Sequence, residues 1–315
     1  MTLLHKNTTK FLEILNAISK NTNFEPTVLE KDYYLTIVLA KTKELSPDLI
    51  FKGGTSINKI YYPYHRMSED LNFNLRFRAE RTKEERRLNQ SNRKTKLTDI
   101  EKNIDEFMKQ FDLIREGDLQ KNDNSRQYSF VFRYNSVITN ATDKIKFEIR
   151  SRENDIILPT ELRIIKHNFI NPFTKESLIE TKEVKTLALI EILADKLAAA
   201  VNRNEPRDFY DIDYAIQNKF DFTNKDFIKL FQSKLRNDKN DADISKYRHS
   251  LNLNDNEIIE LKKRVPDRLE KMLTKTAFQE FNVNTTLQRI DAMMEEMIAV
   301  KHIQEVETEM PGIGG

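Results

Sequence analysis

The sequence contains no cysteine, which excludes disulfide bonds, zinc ribbons and thiol chemistry. Its histidines also lack the spacing of metal ligands: His5, His65, His167, His249 and His302. Any metal ion bound by this chain must therefore be held by oxygen ligands.

Long apolar runs are missing as well. No stretch of about 18 apolar residues is present, and the opening MTLLHKNTTK lacks the basic start and apolar core of a secretory signal. We therefore expect a cytoplasmic protein that does not enter a membrane.

The net charge is also small, at +2. The 315 residues include 52 cations and 50 acids, and this near balance neither indicates nor excludes a nucleic-acid partner. Between Glu80 and Lys96, however, cations outnumber acids. The cations are Arg81, Lys83, Arg86, Arg87, Arg93, Lys94 and Lys96. This patch suits a phosphate backbone, and a solvated helix face is the alternative.

The apolar pattern predicts a mixed chain. Two amphipathic helices open it, the second from Pro26, and Leu49–Phe51 predicts a strand that enters a Gly-Gly turn before a helix. Alternation from Leu71 predicts another strand, with Asp70, Asn72 and Asn74 on one face. A long polar helical stretch follows, to about Glu116.

Two further alternating segments, 128–134 and 145–149, predict strands, and 162–165 is a candidate for another. The pattern is helical from about Leu187. We therefore predict a mixed α/β domain with N-terminal helices over residues 1–186, a helical domain over 187–306 and a flexible tail over 307–315.

The residues around the Gly-Gly turn are suited to binding a triphosphate and a metal ion. Glycines between a strand and a helix let a phosphate approach the backbone N–H groups, although such a turn is more often only a turn. Asp70 and position 72 project from one strand face, and Glu148 on another strand could complete a cluster. The alternative for Glu148 is an exposed residue paired with Lys146 or Arg150.

Three separated blocks resemble, in the same order, the AbiEii/AbiGii family of nucleotidyltransferase toxins, known from type IV toxin-antitoxin and abortive-infection systems. They are LEKDYYLTIVL, FKGGTSINKIYYPYHRMSEDLNFNL and EILADKLAAAVNRNEPRDFYDI. The blocks lie between about Leu29 and Ile212, over half of the chain. The resemblance implies a nucleotidyltransferase-type sheet with flanking helices, an NTP substrate and Mg²⁺ or Mn²⁺.

The resemblance also implies site residues. The turn residues that bind the triphosphate would be Gly53, Gly54, Thr55 and Ser56. Asp70 matches the first metal-binding acid, but Asn72 stands where the family usually has a second one, so the expected metal ligands are Asp70, Asn72 and Glu148. An amide oxygen can bind Mg²⁺, yet the site loses one negative charge. Glu69 cannot replace it, because adjacent strand residues face opposite sides.

The last block supplies further candidates. Lys196 and Arg203 lie on one helical stripe and can present two cations to a polyphosphate, and the resemblance gives Lys196 a functional role. It also makes Asp208 and Asp211 part of the active-site signature. The alternative is an Arg207–Asp211 ion pair that only fixes the helix. For LEKDYY a structural packing role is the preferred interpretation.

The leading prediction is transfer of a nucleoside monophosphate from an NTP to RNA. Asp70, Asn72 and Glu148 would position the metal ion, the turn and Lys196 would hold the β- and γ-phosphates, and the resemblance makes tRNA the expected acceptor and a cognate antitoxin the expected partner. A protein hydroxyl is the alternative acceptor. Because of Asn72, a catalytically weakened protein that only binds nucleotide or RNA is the third possibility.

Overall fold

A computed structural model describes residues 3–77, 82–122, 126–152, 156–171 and 174–309 of the chain. Two compact units make up the protein. The first comprises the chain up to Ala188 together with Lys271–Lys275, and the second comprises Leu189–Glu270 and the residues from Thr276 onward. Each unit is described separately below.

The first unit contains a sheet and five helices within the described residues. Its helices are α1 (Thr8–Thr22), α2 (Pro26–Leu39), α3 (Thr42–Leu45), α4 (Gly53–Ser56) and α5 (Lys83–Lys109). Its strands are β1 (Leu49–Lys52), β2 (Asp70–Leu75), β3 (Ile114–Arg115), β4 (Gln120–Asn122), β5 (Gln127–Asn135), β6 (Thr142–Arg150), β7 (Glu161–Ile164) and β8 (Glu183–Thr186). A short 3₁₀ turn at Leu4–Lys6 precedes α1, and a π-turn at Ile57–Tyr61 continues α4.

The eight described strands form one mixed sheet in the order β3-β5-β6-β2-β1-β8-β7, with β4 also pairing β5. Strand β2 runs antiparallel to β1 and parallel to β6. Strand β1 runs parallel to β8. The strand that carries Asp70 therefore lies near the middle of the sheet, between the strand that leads into the Gly-Gly turn and the strand that carries Glu148.

One face of this sheet packs on helices and forms the core of the unit. The alternating residues Leu71, Phe73 and Leu75 of β2 are buried, as is Phe147 of β6, whose ring stacks on Phe73 with centroids 4.8 Å apart. Helices α1, α2 and α5 contribute their apolar faces to the same cluster. Because strand side chains alternate, the polar residues of β2 and β6 are held on the opposite face.

Helix α5 ends earlier than the sequence pattern predicts. A capping box between Thr82 and Glu85 fixes its start, but the helix stops at Lys109 and Ile114 already belongs to a strand, so the predicted extension to about Glu116 is wrong. Asp112 has a φ of 57°, which an α-helix does not accommodate. The left-handed residue turns the chain into the sheet.

The described residues of the second unit form helices joined by loops, without a strand. Its helices are α6 (Leu189–Asn202), α7 (Pro206–Gln217), α8 (Lys225–Asn237), α9 (Asp255–Leu269), α10 (Lys275–Glu280) and α11 (Val283–Glu309). The first residue of α10, Lys275, belongs to the first unit. Short 3₁₀ turns lie at Ile244–Tyr247, Ser250–Asn252 and Glu270–Met272. Helix α11 includes residues 307–309 of the predicted tail, and residues 310–315 lie outside the described residues. The predicted fold class, a mixed α/β sheet with flanking helices and a C-terminal helical part, is confirmed.

In the part of the chain that the structure describes, no helix is both long enough and apolar enough to cross a bilayer.

Candidate active site

The Gly-Gly turn follows directly on β1. Gly53 has a φ of +80°, a left-handed conformation that side chains with a Cβ rarely adopt, and this explains why glycine is needed there. A Cβ built on Gly53 would lie 3.5 Å from Asn72 Cβ, so space alone does not exclude a larger residue. The turn is therefore packed against the strand position at which the sequence departs from the family pattern.

The two hydroxyl residues of the turn are buried and bonded within the unit. Thr55 Oγ1 donates to the carbonyl oxygen of Asp70 and lies 2.6 Å from Ser68 Oγ. Ser56 Oγ donates to the carbonyl oxygen of Gly53 at 2.7 Å. Both hydroxyls thus fix the turn and its position on β2. The groups of the turn left for a phosphate are backbone N–H groups.

Strand register brings the predicted metal ligands together on one sheet face. In the parallel pairing of β2 with β6, Asp70 lies opposite Lys146 and Asn72 lies opposite Glu148. Paired strands lie about 4.8 Å apart and their paired residues face the same side. We call these four residues the sheet-face cluster: Asp70, Asn72, Lys146 and Glu148.

Lys146 and Glu148 form an ion pair within this cluster. Lys146 Nζ lies 2.6 Å from Glu148 Oε1, and the side chains are 41% and 19% exposed. This contact is one of the two that the sequence pattern offered as the alternative to a metal-binding Glu148. Both side chains are partly exposed, so solvent still reaches the Glu148 carboxylate.

The oxygen donors of the cluster fit a divalent ion only in part. Two carboxylates and one amide oxygen are the ligand types that Mg²⁺ and Mn²⁺ accept. Among the described residues, however, no group of three or more histidine, cysteine, aspartate or glutamate side chains is arranged to hold a metal ion. The donor set suits one ion better than a pair of ions.

The acid that precedes Asp70 faces elsewhere. Glu69 Oε1 lies 3.5 Å from Lys31 Nζ of α2, and the same ammonium lies 3.2 Å from Asp143 Oδ1. Helix α2 packs on the core face of the sheet. Alternation along β2 therefore directs Glu69 away from the sheet-face cluster, as the sequence argument expects.

The LEKDYY block is held inside the first unit by buried hydrogen bonds. Glu30 accepts from Ser136 Oγ at 2.5 Å and from the Val137 backbone N–H at 2.7 Å, while burial raises the pKa of its carboxyl group. Asp32 Oδ2 accepts from Lys59 Nζ at 2.7 Å. These contacts give the block a structural role in packing α2 against the rest of the unit.

The last sequence block forms a second cluster, between α6 and α7. Lys196 Nζ lies 2.7 Å from Asp208 Oδ1 and 2.9 Å from Asp211 Oδ2, and Arg203 Nε donates to Asp208 Oδ2 at 2.8 Å. Both aspartates are fully buried, whereas the Arg203 side chain is 58% exposed. We call this set the α6–α7 cluster: Lys196, Arg203, Asp208 and Asp211.

Charge is balanced within the α6–α7 cluster. Burial alone would raise the pKa of Asp208, but Lys196 and Arg203 hold it below its usual value. Pro206 at the first turn of α7 starts the helix that carries both acids. Arg207 Nε lies 3.3 Å from Glu205 Oε1, and Asp211 is engaged by Lys196.

Comparison with protein-family models gives one match that spans most of the chain. Residues 37–299 match the family described as nucleotidyl transferase AbiEii toxin, type IV TA system. The chain belongs to this family. It is accordingly a nucleotidyltransferase of the toxin class found in type IV toxin-antitoxin systems, and the resemblance noted in the sequence is confirmed.

Solved structures support the fold of this AbiEii-family chain. MenT4, a nucleotidyltransferase toxin from Mycobacterium tuberculosis H37Rv, is 16% identical with a TM-score of 0.56, over 93% of this chain and 97% of that one. JHP933 from Helicobacter pylori is 15% identical with a TM-score of 0.51, over 91% and 98% of the two chains. No curated protein sequence matches the chain. At these identities the likeness concerns the fold alone.

The cationic patch of this AbiEii-family protein lies on α5. Lys83, Arg86, Arg87 and Lys94 are exposed there, and Arg81 lies outside the described residues. The other two cations are engaged by the protein. The guanidinium of Arg93 is buried 5.1 Å from the centre of the Phe77 ring, and Lys96 Nζ lies 2.7 Å from Asp48 Oδ2.

Sequence reasoning had no means of finding two of the contacts that hold the site. The bond from Thr55 to the Asp70 carbonyl joins residues that are fifteen apart, and no local spacing indicates that Thr55 also contacts Ser68. The pairing of Asp70 with Lys146 depends on strand register. Alternation did place Lys146 and Glu148 on one face, but only the register sets them beside Asp70 and Asn72.

Proposed function

We propose that this AbiEii-family enzyme transfers a nucleoside monophosphate from an NTP to an RNA acceptor, with tRNA as the expected RNA, and that it uses Mg²⁺ or Mn²⁺. The observation that carries the proposal is the sheet-face cluster. Register places Asp70 and Asn72 of β2 beside Glu148 of β6, with the Gly53 turn packed against Asn72. A phosphate on the turn would therefore lie next to the oxygen donors.

The residues of the cluster have distinct roles in this proposal. The Asp70 and Glu148 carboxylates and the Asn72 amide oxygen would hold a divalent ion, which supplies positive charge to the triphosphate when bound. The backbone N–H groups of Gly53 and Gly54 bind phosphate oxygens at the start of α4. Thr55 and Ser56 keep these N–H groups in place through their own hydrogen bonds.

The transfer itself is a displacement at phosphorus. The oxygen of an acceptor hydroxyl forms a bond to the α-phosphorus as the bond from that phosphorus to the β-phosphate bridging oxygen breaks. Pyrophosphate leaves with the electron pair, and the hydroxyl proton passes to solvent. Glu148 orients the hydroxyl by accepting its hydrogen bond before the attack.

For the α6–α7 cluster we propose a phosphate-binding role for Lys196 and Arg203, with Asp208 and Asp211 as positioning residues. The two carboxylates hold the Lys196 ammonium at 2.7 and 2.9 Å, so its position is fixed by buried charge. Arg203 is the more exposed cation of the cluster. As a planar guanidinium it suits a phosphate group.

A labelling experiment tests the activity. The purified protein is incubated with each of the four α-³²P-labelled NTPs, Mg²⁺, total RNA and cell proteins. We expect label to enter small RNA from one preferred NTP and to fall by at least about 100-fold in Asp70→Ala, because a charged ligand at the reacting phosphate is lost. Asp118→Ala, an exposed aspartate between β3 and β4, is the matched control.

Each outcome of the labelling assigns the protein to one class. Label in RNA that is lost with Asp70→Ala and kept with Asp118→Ala supports the proposal. Label in protein would make a protein hydroxyl the acceptor. A complete lack of label in every combination would favour a protein that binds nucleotide or RNA without transfer, and Asn72→Asp would then test whether one missing charge is the reason.

The toxin class implies a protein partner, and we propose that a cognate antitoxin neutralises this chain. Induced expression of the wild type is expected to arrest growth, whereas Asp70→Ala is expected to be tolerated. Co-expression of the antitoxin should restore growth without loss of the toxin. Growth arrest that persists with Asp70→Ala would separate toxicity from nucleotidyl transfer.

A further inference from the structure

Lys146 is a cation inside a cluster whose other members are oxygen donors. It lies opposite Asp70 in the strand register, and its ammonium is 2.6 Å from Glu148 Oε1. For Glu148, no partner other than Lys146 is seen in the described residues. Because Asp70, Asn72, Lys146 and Glu148 face the same side of two adjacent strands, the ammonium shares its surroundings with every proposed metal ligand.

The charges of this face do not favour two divalent ions. Two carboxylates and one ammonium leave the sheet-face cluster with a single net negative charge, because position 72 is a neutral amide. Lys52, opposite Asn72, and Arg150, opposite Asn74, add positive charge around the cluster, and the described parts of β1, β2, β5 and β6 add no further carboxylate to this face. The affinity of an oxygen site for a divalent ion depends on its number of charged ligands.

The ion pair of Lys146 with Glu148 is expected to contribute little to folding, since both side chains are partly exposed. Lys146 is 41% exposed, and exposed ion pairs stabilise proteins by about 1 kcal/mol or less. A lysine that contributes little to folding, held against a metal-binding carboxylate in a cluster that lacks an acid, points to a role in the charge of the site.

We propose that Lys146 is the internal cation of the sheet-face cluster. Its ammonium neutralises Glu148 and takes the place of a second divalent ion, so the cluster binds one ion. Asn72 and Lys146 then act together. The amide at position 72 leaves the cluster one carboxylate short, and Lys146 supplies a positive charge. The inference rests on the proposed function of this site.

Binding of Mn²⁺ alone to the full chain tests the inference, with electron paramagnetic resonance reporting free Mn²⁺. The wild type is expected to bind one ion, and Asp70→Ala to lose it. Lys146→Gln should bind that ion roughly tenfold more tightly, because a positive charge paired with one of its ligands is removed. Lys144→Gln, an exposed lysine two residues earlier on the same face, is the matched control and should change affinity less than about threefold.

The double variant gives the decisive comparison. Lys146→Gln with Asn72→Asp restores three carboxylates, and we expect it to bind two Mn²⁺ ions. In the labelling experiment Lys146→Gln should lower transfer by at least about tenfold, and adding Asn72→Asp should recover it. Thermal unfolding midpoints should stay close to that of the wild type for Lys146→Gln and Lys144→Gln.

Two results would overturn the inference. One is a wild type that binds two Asp70-dependent ions, or none. The other is a Lys146→Gln variant that matches Lys144→Gln in both ion affinity and transfer. Failure of the proposed function is a separate result. A wild type that transfers no label can still be tested for the difference in Mn²⁺ affinity between Lys146→Gln and Lys144→Gln.

Discussion

The sheet-face cluster and the α6–α7 cluster both join a lysine to carboxylates, but they differ in burial. Lys196 lies between two fully buried aspartates, whereas Lys146 and Glu148 are 41% and 19% exposed. A buried charge without its partner is strongly destabilising, while an exposed charge is solvated by water. The first kind of cluster therefore fixes side chains, and the second leaves them able to accept a ligand.

This difference in burial distinguishes a motif that stabilises the fold from a motif that presents groups to a ligand. The RDFYD segment supplies acids that hold a lysine, so its residues are tied to the fold as well as to any role in phosphate binding. The SEDLN segment supplies Asp70 and Asn72 on a partly exposed strand face. Substitution of Asp208 or Asp211 should affect stability and activity together, and substitution of Asp70 or Asn72 should affect mainly activity.

The largest effect on stability is expected from Asp211→Ala. It leaves the buried Lys196 ammonium with one carboxylate fewer and should lower the free energy of unfolding by about 3–5 kcal/mol. Urea denaturation measures this change. The exposed Asp267→Ala on α9 is the matched control, expected within about 0.5 kcal/mol of the wild type. A loss below about 1 kcal/mol for Asp211→Ala would remove the distinction between the clusters.

A half-buried histidine of the first unit, His167, makes stability depend on pH. His167 has its pKa lowered to about 4, first by burial and then by the charge of Lys59. The Phe169 N–H donates to His167 Nδ1 at 3.1 Å, which indicates a neutral ring with its proton on Nε2, 3.1 Å from Ser177 Oγ. The unfolded chain takes up a proton near pH 6.5 and the native state only near pH 4, so stability falls as the pH drops between these values.

His167→Asn removes this dependence while an amide oxygen can still accept from Phe169. The wild type should lose at most about 3 kcal/mol more than the variant between pH 6.5 and pH 4. Urea denaturation across this range, with the exposed His249→Asn as control, measures the difference. Parallel curves for wild type and His167→Asn would show that neither burial nor the Lys59 charge lowers the pKa of this ring.

A smaller effect is expected at the Gly-Gly turn. Gly53 and Gly117 have φ values of +80° and +72°, so replacement of either by alanine should lower the free energy of unfolding by about 1–2 kcal/mol. Gly117 has open space around it and lies between β3 and β4. We expect equal stability losses but a loss of transfer only for Gly53→Ala. Equal transfer by the two variants would exclude a phosphate-binding role of the turn.

The smallest effect on stability is expected from Lys146→Gln. Because the ion pair with Glu148 is exposed, its removal should change the free energy of unfolding by less than about 1 kcal/mol. Chemical denaturation of Lys146→Gln beside Asp211→Ala gives both ends of the comparison in one experiment. If Lys146→Gln lowered the free energy of unfolding as much as Asp211→Ala, the ion pairs of both clusters would be needed for stability.

Residue patterns were sufficient to predict the strands and helices that carry the site. Alternation identified β2, β5 and β6, and Pro26 marked the start of α2 because proline suits the first turn of a helix. The short strands β3, β4 and β8 were not predicted, since two to four residues show no period. Their pairing is decided by neighbouring strands that are distant in sequence.

The site was predicted in its parts, and the contacts between the parts were not. Motifs selected Asp70, Glu148, Lys196 and Asp208, whose roles stay predictions until they are tested. That Lys196 is held by Asp208 depends on how α6 packs on α7, and that Lys146 lies beside Asp70 depends on register. Neither packing nor register follows from local spacing.

The hydrogen bond from Thr55 to Asp70 ends on the backbone carbonyl and not on the carboxylate. The position of the Gly-Gly turn is therefore independent of which side chain stands at position 70, and nothing in this bond depends on position 72. A lineage can exchange acids and amides along this strand face while the Thr55 hydrogen bond stays in place. The charge of this strand face can thus change by single substitutions without loss of the hydrogen bond that joins the turn to β2.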